Sequence, residues 1–256
     1  MLAIERKNEI LNKLRAEQRV LVCELAAFYN VTEETIRRDL DKLEKEGYAT
    51  KTYGGAILGN STKTDLSYTI RSKTNVEAKN AIADLVEKLV EDGDHLMIDD
   101  SSTSLFAAKK LKEKKNLTVI TNSVELVVEL SGVEGWNIML TGGRLKQDSM
   151  SLAGEQTQRM LQNFHVDKTL FSCKGLDLSA GITDSSEFHA QTKQSMVQAA
   201  KKRILLLDDS KFDKISFVNI AELEQIEAVV TNLCPEKQWL QFFENHGIKC
   251  WYPLEQ

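Results

Sequence analysis

Thr32, Glu34 and Thr35 precede two adjacent arginines, Arg37 and Arg38, in the string VTEETIRRDLDKL from Val31 to Leu43. Ile36, Leu40 and Leu43 recur at i, i+4 and i+7, the spacing of one buried stripe on a helix. At about 100° per residue, Glu34 and Arg38 then point away from that stripe, flanked by Thr35 and Arg37. Such a face suits a DNA major groove. Arginine matches a guanine edge or a phosphate, and threonine a phosphate or a thymine methyl. Asp39 is expected to pair with a neighbouring arginine rather than to meet DNA. Two arginines alone describe any solvated helix face, so the surrounding string decides.

A second set of polar residues follows apolar runs. His95–Asp99 leads into Asp100-Ser101-Ser102-Thr103, and Leu117–Thr121 into Asn122-Ser123. Trp136–Leu140 leads into Thr141-Gly142-Gly143-Arg144, Thr169–Cys173 into Lys174-Gly175, and Arg203–Leu207 into Asp208-Asp209-Ser210-Lys211. If the runs are parallel strands, these exits share one edge, where open α/β sheets bind ligands. Ser101, Ser102 and Thr103 at a helix start offer hydroxyls and backbone N–H groups to an anion. Gly142 and Gly143 permit close backbone approach. Arg144, Lys174 and Lys211 are cations for phosphate, and Asp99 and Asn122 can accept from sugar hydroxyls. The combination suits a phosphorylated polyol, although each feature alone also serves as an ordinary cap, turn or solvated charge.

The elements that hold these residues fall into two grammars. Residues 1–58 read as helices over Ile4–Ala16 and Val20–Tyr29, a turn at Asn30-Val31, and a third helix capped by Thr32 and stopped at Gly47. A strand over Tyr48–Tyr53 and the Gly54-Gly55 turn complete a winged-helix order, with Lys51 placed to reach the DNA backbone. Residues 59–75 are polar and aperiodic, a linker. From Val76 to residue 256, helices alternate with strands, the last two at Ala228–Thr231 and Ile248–Trp251, which implies a mostly parallel sheet covered on both faces.

Composition sets the outer bounds. The 256 residues carry a formal charge of −5, but residues 1–58 hold ten Lys/Arg and ten Asp/Glu, so the acidity lies elsewhere. A neutral domain binds DNA when its cations share a face. No run of about 18 apolar residues and no apolar leader occur, so a cytoplasmic protein without a membrane partner is expected. Cys23, Cys173, Cys234 and Cys250 form no CxxC pair and are expected to be reduced and mostly buried; neither they nor the four dispersed histidines suggest a metal.

The string LAAFYNVTEETIRRDLDKLEKEGYATKTYGGA closely resembles the DeoR-type helix-turn-helix. The resemblance implies DNA contacts from Thr32, Thr35, Arg37 and Arg38, with Lys51 at the wing. Thr32 stands where that family usually has serine, and Tyr53 where it usually has histidine; a phenol still donates to phosphate. Further on, MIDDSSTSLFAAKKL, VITNS, LTGGRLKQDSMSLAGEQ, DKTLFSCKGLDLSAGITDSSE and LLLDDSKFDKISF resemble successive blocks of the DeoR C-terminal sensor domain. This implies a Rossmann-like fold of the sugar-phosphate isomerase and deaminase type, a sugar-phosphate effector and a homo-oligomer. Asp99, Ser102, Thr103, Asn122, Gly142, Gly143, Lys174 and Lys211 become the implied ligand residues, supported by Glu187 and Lys193. Ser101 replaces the family's usual glycine, which stiffens the loop.

The expected function is therefore an effector-controlled transcription regulator without catalytic residues or cofactor, most simply a repressor of a carbohydrate operon. Two alternatives remain: a sugar-phosphate isomerase or deaminase with an added helical segment, and a DNA-binding protein with a vestigial pocket. No block matches the catalytic loops that the first would need for a general base.

Overall fold

A computed structural model describes residues 3–17, 19–45, 48–58 and 68–253. The chain divides into two compact units, residues 1–66 and 67–256. Among the described residues no helix is long and apolar enough to cross a membrane.

The first unit contains helices α1 (Ala3–Glu17), α2 (Val22–Tyr29) and α3 (Glu33–Lys45) and strands β1 (Arg19–Leu21), β2 (Ala49–Thr52) and β3 (Gly55–Leu58). Ile10, Leu14, Leu25, Ile36, Leu40 and Leu43 fill its core, so the stripe expected on α3 faces inward. Asn30 ends α2 in the left-handed region (φ 51°), a conformation asparagine tolerates. The second helix starts two residues later than expected, because residues 19–21 are a strand. Val20 is buried and its neighbours exposed, and β1 pairs antiparallel with β3. Gly55 makes that pairing possible, since a Cβ there would stand 2.1 Å from the Val20 carbonyl oxygen. The sheet order is β1-β3-β2. The expected helix stop at Gly47 lies outside the described residues, as does most of the expected linker.

The second unit begins with α4 (Tyr68–Arg71), so residues 68–71 of the expected linker are helical, and a turn leads from them to α5 (Val76–Val86). Tyr68 explains this ordering: its N–H donates to the Asp148 carbonyl at 2.7 Å and its ring packs on the main core. Then come β4 (His95–Ile98), α6 (Ser102–Lys110), β5 (Thr118–Thr121), α7 (Val124–Leu130), β6 (Asn137–Leu140) and the hairpin β7 (Arg144–Lys146) and β8 (Ser151–Ala153). The chain continues through α8 (Glu155–Gln162), β9 (Val166–Phe171), β10 (Gly175–Asp177), β11 (Gly181–Asp184), α9 (Glu187–Ala199) and β12 (Ala200–Leu206). It closes with β13 (Val218–Ala221), β14 (Ala228–Val230), α10 (Lys237–Asn245) and β15 (Lys249–Trp251).

The seven strands expected from the apolar runs form one parallel sheet in the order β15-β14-β12-β9-β4-β5-β6. Alternate residues serve opposite faces. Leu96, Ile98, Leu170, Ile204 and Leu206 meet Ile82, Leu105 and Leu126 of α5, α6 and α7. Met97 and Ile120 meet Leu161 and Met196 of α8 and α9, while Phe171, Leu205 and Val229 meet Trp239 and Phe243 of α10. β9 and β12 begin earlier than expected because charged residues interrupt the apolar pattern at their starts. Lys168, for one, is buried but paired with Asp94. The β7–β8 hairpin and the antiparallel sheet β10-β11-β13 had no counterpart in the sequence reading.

The cysteines are free, but Cys23 and Cys234 are exposed and only Cys173 is fully buried, which corrects the expectation of mostly buried thiols. Burial pushes the Cys173 thiol up to about 12.

Candidate DNA-reading helix and effector crevice

In the first unit, α3 is positioned from below by an ion pair. Arg6 Nε of α1 donates to Asp39 Oδ2 at 2.6 Å, and both side chains are buried. Asp39 therefore does pair with an arginine, but one 33 residues away rather than Arg37 or Arg38. Thr32 caps the helix: its Oγ1 accepts from the Thr35 N–H at 3.3 Å and lies 2.9 Å from Thr35 Oγ1. Arg37 and Arg38 stay exposed, held by Glu33 (2.7 Å) and Glu34 (3.3 Å) one turn earlier. Exposed pairs of this kind are worth little and yield readily to a stronger anion. On the wing, the Lys51 ammonium pairs with Asp41 while its backbone N–H donates to Glu44 Oε1, and Tyr53 is fully exposed beside the turn.

In the second unit, the strand order reverses direction between β4 and β9: the chain proceeds outward from β4 through β5 to β6, and from β9 through β12 and β14 to β15. A crevice opens at such a reversal, at the carboxyl ends of the strands. Asp99 sits in it and is fully engaged. Its Oδ1 accepts from the Ser101 N–H and hydroxyl, and its Oδ2 from the Ser172 N–H at 3.1 Å, with the Lys193 ammonium at 3.4 Å. Three hydrogen bonds and an ion pair hold this carboxylate, so Asp99 shapes the crevice. Ser101 is the N-cap of α6, accepting from the Ser104 N–H at 3.0 Å. Ser102 and Thr103 follow in the first turn, where backbone N–H groups lack intrahelical acceptors.

Across the sheet edge, Asn122 Nδ2 donates to the Leu152 carbonyl at 3.1 Å. Its Oδ1 is buried without a hydrogen-bond partner, and so are the hydroxyls of Thr141 and Thr231. These are the three such atoms among the described residues, and they lie at the exits of β5, β6 and β14. A buried polar atom left unmatched costs about 1–3 kcal/mol, which a ligand or water at this edge removes. Gly142 accepts from Thr157 Oγ1 through its carbonyl and has open space where a Cβ would stand. Gly143 is held at φ 135°, with a Cβ position 2.3 Å from Thr157 Oγ1.

Lys211 lies 3.8 Å from Asp208, whose carboxylate also accepts from Ser210. Lys174 is half-buried after β9, its N–H donating to the Thr183 carbonyl. Arg144 is not drawn in; it is exposed at the start of β7, without an ion pair among the described residues. Glu187 is likewise exposed, accepting from Gln191, whereas Lys193 is central and bonds Asp184 at 2.5 Å.

Lys193 was expected to support the pocket and Asp100 to lie at the strand exit, but His189, Arg71 and Lys79 were not foreseen. Asp100 and His189 form a buried pair 3.1 Å apart. Burial opposes the charge on Asp100, but His189, Lys193 and Arg71 hold its carboxyl far below the usual range. Asp100 in turn raises His189 against the effect of burial. Lys193 is raised despite burial by Asp184, Asp99 and Asp100. Lys79, only 4 % exposed, donates to the carbonyls of Arg71 and Thr74. Burial lowers it to about 8, helped by Lys211, Arg71 and Lys174 and opposed by Asp208. The signal for Lys79 was present: it stands on the same stripe as Ile82, Ala83 and Val86.

A winged helix presenting arginines, joined to a three-layer parallel α/β unit with a polar crevice at its strand exits, defines a ligand-responsive DNA-binding regulator. The DeoR-like helix-turn-helix domain matches residues 6–62 and the DeoR C terminal sensor domain matches residues 74–233, and the chain belongs to the DeoR family of transcriptional regulators. It is 39% identical to an uncharacterised HTH-type transcriptional regulator, YulB, of Bacillus subtilis, covering 97% of this chain and 96% of that one. It is 36% identical to the HTH-type transcriptional repressor GlcR of Bacillus subtilis, over 96% and 94% of the two chains. A putative aga operon transcriptional repressor of Escherichia coli O157:H7 is 30% identical over 89% and 86%.

Proposed function

We propose that this chain is a repressor of a carbohydrate-use operon, released from its operator when a phosphorylated sugar fills the crevice of the second unit. Arg38, Arg37 and Thr35 meet the major groove, with Thr32 setting the start of the helix, Glu34 releasing Arg38 to DNA, and Lys51 and Tyr53 reaching flanking phosphates. Ser102, Thr103, Asn122, Gly142, Lys174 and Lys211 surround the effector. Asp99, Ser101 and Gly143 hold its frame, and Arg144 plays at most a rim role. A homo-oligomer that pairs two winged helices on repeated half-sites completes the switch.

The carrying observation is the unpartnered buried Asn122 Oδ1 at the exit of β5, next to the reversal between β4 and β9, on the edge that also holds Lys174 and Lys211. The named relatives support the sign, since GlcR and the aga protein are called repressors. The test is a screen of sugar phosphates by thermal shift, followed by operator binding with each hit. A specific binder raises the melting temperature by mass action and should lower operator affinity. Turnover of a sugar phosphate, or hits that leave operator binding unchanged, would overturn the reading.

A further inference from the structure

We propose that Arg71 and Lys79 belong to the anion seat of the crevice, so that an effector phosphate fastens α4, the helix at the end of the linker, to the sheet edge. This rests on the effector reading above and adds where the charge is felt. The Lys79 ammonium is buried and donates to the carbonyls of Arg71 and Thr74, which close the turn between α4 and α5. An ammonium has three donors; two go to these carbonyls, and among the described residues the third has no oxygen partner, with the Phe106 ring centroid 5.9 Å from the nitrogen.

The surroundings favour an added anion. Among the charges that bear most on Lys79, Lys211, Arg71 and Lys174 oppose its own charge and Asp208 favours it. Asp208 is already committed to Ser210 and Lys211. Arg71 also lowers Asp100, so its charge is felt by that carboxylate as well as by Lys79. A desolvated ammonium among like charges is stabilised by a phosphate dianion, which adds charge-assisted hydrogen bonds. Lys174 and Lys211 follow β9 and β12, whereas Arg71 and Lys79 come from the segment next to residues 59–67. A phosphate shared among them ties that segment to the strand exits, and removing it releases the tie. Specificity follows: the seat recognises the phosphate, while the unpartnered Asn122 Oδ1, at the exit of β5 beside β4, is the atom of that kind nearest the strand reversal and is offered to a sugar hydroxyl.

The test uses the full chain. The probes are the strongest hit from a panel of glucose 6-phosphate, fructose 6-phosphate and ribose 5-phosphate, its unphosphorylated sugar, and inorganic phosphate. Calorimetry compares the parent with Arg71→Gln, Lys79→Gln and Arg71→Lys, and hydrogen exchange follows residues 68–79. Loss of a hydrogen bond to a charged group should weaken the sugar phosphate about tenfold in Arg71→Gln and Lys79→Gln. Binding of the unphosphorylated sugar should not change, and Arg71→Lys should recover most of the loss. Exchange in residues 68–79 should slow on binding in the parent and not in Arg71→Gln. If Lys79→Gln melts early and is uninformative, Arg71→Gln and its lysine rescue decide alone. Parent-like affinity in Arg71→Gln overturns this inference and leaves the effector reading standing. A parent that binds neither the sugar phosphates nor inorganic phosphate sinks both.

Discussion

His189 Nδ1 and Asp100 Oδ2 lie 3.1 Å apart in the interior of the sensor unit, an ion pair that joins α9 to the loop after β4. The raised His189 means that the folded state holds a proton which the unfolded chain releases near 6.5. Its contribution is therefore fully present below that value and is lost as pH rises through the folded one. Urea midpoints of the second unit should fall as pH rises above about 6.5, and His189→Gln should flatten that slope. A parent whose midpoint is insensitive across that range would show that the pair is not charged.

Arg37 and Arg38 are predicted to matter for DNA and not for folding. Both are exposed and, among the described residues, are tied only to Glu33 and Glu34 on their own helix. Replacing either with alanine should change stability by about 0.5 kcal/mol or less. Loss of a base contact by Arg38→Ala should weaken operator binding by about 1–3 kcal/mol, whereas Arg37→Ala should reduce the salt slope if it meets phosphate. Fluorescence anisotropy at several salt concentrations separates the two; unchanged anisotropy in Arg38→Ala would remove that residue from the interface.

Asp39→Ala should act in the opposite way. It strands the Arg6 guanidinium in a buried site, at a cost of about 3–5 kcal/mol. The first unit should melt early, and DNA binding should be lost with the fold rather than with a contact. A folded Asp39→Ala domain that fails on DNA would contradict this.

The two adjacent glycines should separate frame from ligand. Gly143 has φ 135° and no room for a Cβ beside Thr157 and Ala153, so Gly143→Ala should lower the melting temperature. Gly142 has open space at that position, so Gly142→Ala should fold normally and weaken only the effector response. Equal melting losses in both variants would place Gly142 in the frame as well.

The parts of this molecule that could be read in advance share a cause. The inner strands of the main sheet each hold an apolar run, because a parallel strand buried on both faces is apolar where it is covered, as in Leu96–Ile98 and Leu205–Leu207; the edge strands β6 and β15, which carry Asn137 and Lys249, are partly exposed. The recognition helix was legible because Ile36, Leu40 and Leu43 fix its phase and hence which way Arg38 faces. β1 was not, since three residues beside a helical pattern form a strand only through β3 and the glycine at position 55. The crevice was half-legible. Residues at strand exits announced themselves, but Arg71 lay in a segment without periodicity. His189, Lys193 and Met196 follow at i, i+4 and i+7 on one helix face, a stripe on which charge reads as exposure until its buried partners are known. Asp99 was assigned to the ligand because nothing in the sequence says that Ser101, Ser172 and Lys193 already occupy it.

Lys79 offers a proton count that tests its place in the crevice independently of mutation. Burial first, then Lys211, Arg71 and Lys174, lower it from 10.5 to about 8, while Asp208 opposes them and the Phe106 ring packs alongside. A lowered lysine means that the folded chain binds fewer protons than the unfolded one between those values, so stability rises with pH from about 8 towards 10.5, opposite in sign to His189 and in a separate window. A bound phosphate reverses the shift by stabilising the charged ammonium. Effector binding at about pH 9 should then take up protons, and at about pH 7, where Lys79 is already charged, it should take up none through this residue. A sugar phosphate has its own second ionisation near 6 and is a dianion at both values, so it supplies no uptake at the higher pH. Calorimetry at pH 9 in two buffers of different ionisation enthalpy measures the number of protons directly. Zero uptake, or release, means that the phosphate does not approach Lys79.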